Sequence, residues 1–140
     1  MESDRRYVYL LNTAQKRLHR HLEQHAERHA GISVVQAGAL FALVRQDGAL
    51  SGELAATLDI APSAMTGLAD RMLRAGLIER RVDALDKRIN RLWLTERGRA
   101  AATTAQHELA PLNRKLSEGF TEDEMHVVAR WLSAVGQRFS

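Results

Sequence analysis

The residues of this chain that could do chemistry are concentrated between Pro62 and Gly98. Ser63, Ala64, Thr66 and Gly67 open a helical pattern on which Arg71 and Arg74 follow. Asp86, Lys87, Arg88 and Arg91 then lie in and beside a loop between two strand-like runs. Ser and Thr hydroxyls can donate to or accept from either kind of base pair, and an Ala methyl can pack on a thymine methyl. Gly67 costs a helix about 1 kcal/mol relative to Ala, a cost that close approach to DNA would explain. An Arg at the end of a thin ribbon can enter a minor groove, where narrow A·T tracts concentrate negative potential. Asp86 is spaced to hold that guanidinium by a bidentate bond. The chemistry so described is the gripping of duplex DNA. The plainer alternatives are exposed helix residues at 63 and 66, salt bridges for Arg71 and Arg74, and a charge pair on a loop.

These residues need elements to position them. Residues 3–29 read as one long helix with Tyr7, Leu11, Ala14, Leu18, His21, His25 and His29 on a stripe, stopped by Gly31. A second helix begins at a capping box of Ser33 and Gln36, buries Ala37, Leu40, Phe41 and Val44, and breaks at Asp47-Gly48. Ser51 caps a third helix with Leu54, Ala55 and Leu58 inward, and Ser51 is also a candidate contact to the DNA backbone. After the turn Asp59-Ile60-Ala61, Pro62 falls at the first position of a fourth helix, where no N–H is needed. That helix has Met65, Leu68, Ala69, Met72 and Leu73 as its apolar stripe and ends at Gly76. Residues 77–82 and 90–95 read as strands, with Leu92 and Leu94 on one side and Arg91 and Trp93 on the other. The loop 83–89 is long for a tight hairpin and suits a protruding wing.

Thr95 is the expected cap of a fifth helix with Ala105, Leu109, Leu112 and Leu116 on its apolar stripe. Pro111 within it predicts a kink or break near Ala110. Gly119 closes that helix, and Thr121 to Glu124 forms a second capping box, with Phe120 and Met125 placed as a hydrophobic staple. A last helix is expected to bury Val128, Trp131, Leu132, Val135 and Phe139. The expected fold class is all-α with a small β-wing, a winged helix-turn-helix core with added N- and C-terminal helices. Residues 1–140 make one domain: 33–95 form the DNA-binding lobe, and 1–30 with 96–140 form dimerisation helices. The terminal helices carry more apolar surface than the small core could cover, so a symmetric dimer is expected.

Composition bounds the alternatives. The 140 residues suffice for one core. The absence of cysteine removes disulfides, thiolate zinc sites and thiol redox sensing. Charges interrupt every apolar run near the N-terminus, so a cytoplasmic protein without membrane attachment is expected. The net charge is +3, but residues 71–99 hold nine basic and four acidic side chains, 9 − 4 = +5, so the rest of the chain carries 3 − 5 = −2. A basic segment on a nearly neutral body suits a polyanion, although a solvated charged face would look the same.

The runs Gly76-Leu77-Ile78-Glu79-Arg80, Asp86-Lys87-Arg88 and Leu92-Trp93-Leu94-Thr95-Glu96-Arg97-Gly98 resemble the signature of the MarR family of winged-helix transcriptional regulators. The Gly119-Phe120-Thr121-x-x-Glu124 junction resembles that family's break before its last helix, and the resemblance covers essentially the whole chain. It implies a homodimer whose first, fifth and sixth helices form the body. Each fourth helix would lie in a major groove and each wing in the flanking minor groove. Ser63, Thr66 and Gly67 would then be reading residues, with Arg88 at the wing tip and Asp86 its support. Members of the family commonly repress a nearby gene and are released by small anionic aromatic compounds or oxidants. Pro111, Ala61 and the lack of Cys depart from the pattern, and the last excludes the thiol-based peroxide sensors.

His21, His25 and His29 stand four apart on one helix face, so a pair could hold a metal, but a zinc site usually needs three or four ligands. The plainer reading is a polar dimer seam. Neither metal nor cofactor is expected. No nucleophile–base pair, phosphate loop or paired carboxylate motif suggests an enzyme. The expected function is that of a sequence-specific transcriptional regulator, a repressor acting as a homodimer on a pseudo-palindromic operator and released by a small-molecule effector. The alternatives are an effector-independent DNA binder and a winged-helix protein–protein adaptor. The effector and its pocket residues are not legible.

Overall fold

A computed structural model describes residues 3–26 and 32–140, the side chains of His25 and Ala26 excepted. Its elements in chain order are α1 (Tyr7–Ala26), α2 (Val34–Arg45), β1 (Ala49–Leu50), α3 (Ser51–Leu58), α4 (Pro62–Arg74), β2 (Ile78–Val82), β3 (Asn90–Leu94), α5 (Glu96–Ser117) and α6 (Glu122–Arg138). The chain divides into two compact units, residues 1–105 and 106–140.

The first unit holds the helix-turn-helix and the wing. Its core is built from Leu40 and Leu43 of α2, Leu54 of α3, Met65, Leu68 and Met72 of α4, and Leu92 of β3. The three strands form an antiparallel sheet in the order β1-β3-β2. Register pairs Ile78 with Leu94 and Arg80 with Leu92, which puts Ile78, Leu92 and Leu94 on the buried face. Glu79 lies opposite Trp93 and Arg81 opposite Arg91, so these four share the outer face. Gly98, in the first turn of α5, packs so closely that a Cβ there would stand 1.9 Å from the Leu77 carbonyl oxygen.

Several local expectations are met. Ser33 and Gln36 exchange side-chain and backbone hydrogen bonds at 3.2 and 3.3 Å. Gly48 and Gly76 take positive φ just beyond α2 and α4. Thr95 accepts from the Gly98 N–H at 3.0 Å and donates to the Gly76 carbonyl at 2.6 Å, so one hydroxyl caps α5 and fastens it to the end of α4.

Other expectations are corrected. The first helix starts at Tyr7 rather than residue 3, because the Asp4 carboxylate accepts from the Arg6 backbone N–H and guanidinium and holds a turn there. Its end beyond Ala26, with the stop at Gly31, lies outside the described residues. Of the expected face of α2, Leu40 is buried, Ala37 and Phe41 are half-buried and Val44 is 57 % exposed, while Ala39 and Leu43 are buried as well. A helix apolar nearly all round gives no periodicity to choose a face by. Ser51 is the first residue of α3 and not its cap. Leu50 holds the cap position, its N–H bonded to the Glu53 carboxylate at 3.2 Å. The strand β1, too short to leave a pattern, was not expected.

Residues 106–140 hold the second half of α5 and all of α6. α5 passes through Pro111 without a break, since a proline forfeits one hydrogen bond in a helix that already has about four turns before it. Gly119 takes positive φ, and Thr121 and Glu124 form the expected capping box at 2.9 and 3.1 Å. No residue of α6 is buried: Val128, Trp131 and Leu132 remain exposed, Val135 is half-buried, and Phe139 lies past the helix end, 85 % exposed. The stripe expected to be buried is exposed in the single chain.

Candidate nucleic-acid interface

The surface of α4 is set by what its other side buries. With Met65, Leu68, Ala69 and Met72 in the core, Ser63, Thr66, Asp70 and Arg74 share the outward face, and Gly67 lies half-buried beside them. Pro62 stands at the helix start after Ala61, which supplies no capping side chain. The Thr66 hydroxyl donates to the Pro62 carbonyl at 3.1 Å and keeps its lone pairs outward. Gly67 has a local reason in the helix itself: a Cβ there would stand 3.3 Å from Nη1 of Arg71. The guanidinium of Arg71 therefore lies across the gap that Gly67 leaves. Arg74 reaches back to the Asp70 carbonyl at 3.4 Å. Among the described residues neither Arg71 nor Arg74 forms an ion pair.

The wing is held by backbone and carboxylate together. Asp83 N–H donates to the Ile89 carbonyl at 2.8 Å, and Ile89 N–H to the Asp86 carbonyl at 3.0 Å. Asp86 accepts the Arg88 backbone N–H at 3.0 Å and both Nε and Nη2 of its guanidinium at 3.1 Å. The expected bidentate pair is present, and the Arg88 side chain is still 90 % exposed. Those hydrogen bonds hold the Asp86 carboxyl below the usual carboxylate range and raise the guanidinium of Arg88. A depressed carboxylate stays ionised through neutral pH and loses the pair only as pH falls through its lowered value. Lys87 is exposed beside them.

Arg91 stands apart from the other wing residues. Half-buried at the wing base, it donates from Nε to the Asp83 carboxylate at 3.1 Å and from Nη1 to the Gly48 carbonyl at 3.0 Å. Arg81 is likewise paired with Glu79 and lies 5.1 Å over the Trp93 ring, and Arg99 reaches Asp47 at 2.6 Å. Among the described residues the basic side chains of 71–99 in no ion pair are thus Arg71, Arg74, Arg80, Lys87 and Arg97, while Arg88 stays exposed within its pair. Ser51 is exposed at the start of α3.

Sequence reasoning missed Asp47, which it took only as a helix breaker. Its carboxylate accepts from the Leu94 N–H at 2.9 Å and from the Gly48 N–H at 3.2 Å, besides holding Arg99. Asp47 therefore ties the end of α2 to β3 and to the start of α5. An Asp-Gly pair reads equally well as a plain turn, so no signal marked it.

Among the described residues no group of three His, Cys, Asp or Glu side chains could hold a metal. His21 is exposed on α1, and the side chain of His25 and all of His29 lie outside the described residues.

A helix-turn-helix with a three-stranded wing and an exposed, carboxylate-held arginine at its tip defines a winged-helix protein. A family model described as MarR family matches residues 30–89, so the winged lobe of this chain is similar to that family. The solved structure of a MarR family transcription regulator is 28% identical, with 95% of this chain and 87% of that one covered and a TM-score of 0.80. A MarR family regulator from Silicibacter pomeroyi is 25% identical, covering 93% and 87%, with a TM-score of 0.80. A MarR mutant from E. coli in complex with operator DNA shares the fold at 23% identity, covering 91% of each chain with a TM-score of 0.78. Among curated proteins no sequence matches this chain.

Proposed function

We propose that this chain is a DNA-binding transcriptional regulator, a repressor that acts as a homodimer on a pseudo-palindromic operator. The observation that carries the proposal is the joint presentation, in one compact unit, of the outward polar face of α4 and the Arg88 tip held by Asp86. The first has the slim polar side chains that base edges accept, and the second has the thin cationic form that a minor groove accepts. The MarR relatives named above are transcription regulators rather than enzymes, and one of them is bound to operator DNA.

In this reading Ser63, Ala64 and Thr66 meet base edges, Arg71 crosses Gly67 toward the groove, and Arg74 and Lys87 hold phosphates. Arg88 enters the minor groove, Ser51 touches the backbone, and Arg91 braces the wing. Two copies related by a dyad would set their reading helices about 34 Å apart, one turn of B-DNA. The uncovered apolar residues of α6 and of the start of α1 supply the surface for pairing. A ligand that favours a spacing unmatched to the groove repeat would release the operator through a coupling energy of about 1–3 kcal/mol.

Variants separate the roles. Arg88→Ala should weaken operator binding and lower the salt slope by about 1, since one phosphate-side cation is lost. Ser63→Ala and Thr66→Ala should change which sequences bind and leave the salt slope unaltered. A winged-helix adaptor would be indifferent to all three, and that indifference would overturn the proposal.

A further inference from the structure

Leu85 is 97 % exposed, more than any other large apolar side chain among the described residues. Single exposed leucines are ordinary on protein surfaces, so its position must carry the argument. It stands on the tip of the wing, immediately before Asp86, in a loop whose shape is fixed on both sides. Asp83 is bonded to Ile89 behind it, and Asp86 is bonded to Ile89 and Arg88 ahead of it. Val82, at the end of β2, is also exposed. A loop braced in this way projects a leucine into solvent beside two cations, Lys87 and Arg88.

We infer that Leu85 is a second DNA contact of the wing, an apolar one, packing on the deoxyribose wall of the minor groove that Arg88 enters. This rests on the DNA-binding reading above. The charge of its neighbours selects the occupant: a partner that draws Lys87 and Arg88 is anionic, and duplex DNA combines anionic rims with apolar sugar faces. Proteins that use the minor groove frequently combine cations with apolar side chains, leucine among them, that contact the bases there. Such a contact releases no counterion, so its signature differs from that of Arg88.

The test compares wild type, Leu85→Ala and Arg88→Ala on the duplex upstream of the protein's own gene and on a scrambled duplex, across a salt series. Leu85 is solvent-exposed, so its replacement should leave the thermal unfolding midpoint unchanged. The expected result is a loss of about tenfold in specific affinity for Leu85→Ala, with the salt slope of wild type. Arg88→Ala should lose affinity and slope together. If wild type prefers its duplex and Leu85→Ala binds it as tightly, the inference about Leu85 fails while the DNA-binding reading stands. If wild type shows no preference, the DNA-binding reading itself fails. A lower self-associated mass for Leu85→Ala in sedimentation, with DNA binding intact, would place a second copy on this residue and overturn the inference.

Discussion

At position 67 two demands meet in one residue. Glycine in a helix costs about 1 kcal/mol relative to Ala, yet here the missing Cβ gives the Arg71 guanidinium its place across the outer face of α4. A methyl at 3.3 Å would displace the end of a flexible side chain, a small structural change at a site that needs direction. Gly67→Ala should therefore raise stability by up to about 1 kcal/mol in chemical denaturation while weakening operator binding. A variant that gains stability and binds DNA as before would show that Arg71 does not use that path. The sequence marked Gly67 as costly but attributed the cost to close approach of DNA. The Arg71 contact depends on a side-chain path, which periodicity does not specify.

Among the elements, the wing depends on a joint as much as on its tip. Asp47 binds backbone N–H groups of β3 and of its own turn, and Arg91 joins Asp83 to the Gly48 carbonyl beneath it. Asp47→Ala would leave the buried N–H of Leu94 unpaired, and urea unfolding should show a loss of about 1–3 kcal/mol. Operator affinity should fall too, because β3 of the wing loses its tie to the end of α2. A stability loss with unchanged affinity at a temperature where the variant is folded would separate the joint from function. Most of this architecture was legible. Capping boxes at Ser33 and Thr121, glycines after α2, α4 and α5, and the alternation of Leu92 and Leu94 each rest on local chemistry that sequence writes directly. What was not legible depends on distant partners. The two-residue strand β1 exists because β3 lies beside it, and Arg91 looked like a free wing cation because Asp83 and Gly48 converge on it only in the fold.

For the whole molecule the uncovered apolar surface is the dominant fact. Leu132, Trp131 and Val128 on α6, and Tyr7, Val8 and Leu10 on α1, are exposed in the single chain. The stripe on α6 reads as apolar and to be buried, and in the single chain it is exposed, because periodicity reports that a face is to be covered and not by what. In the proposed dimer a second copy covers it. Among the described residues no helix is long and apolar enough to cross a membrane. Leu132→Glu should shift the protein toward monomer in sedimentation and lower operator affinity by more than any single wing substitution, since it removes one of two linked half-site contacts. A dimer that persists with Glu at that position would move the pairing surface elsewhere.

The most direct measurement is the affinity of the wild-type protein for the duplex upstream of its own gene against a scrambled duplex of equal length, over a salt series with protection mapping. The account predicts a gap of about a thousandfold or more, steep salt dependence on both duplexes, and protection of two half-sites related by a dyad. Equal affinity for the two duplexes at every salt concentration, or no binding at low salt, would contradict it.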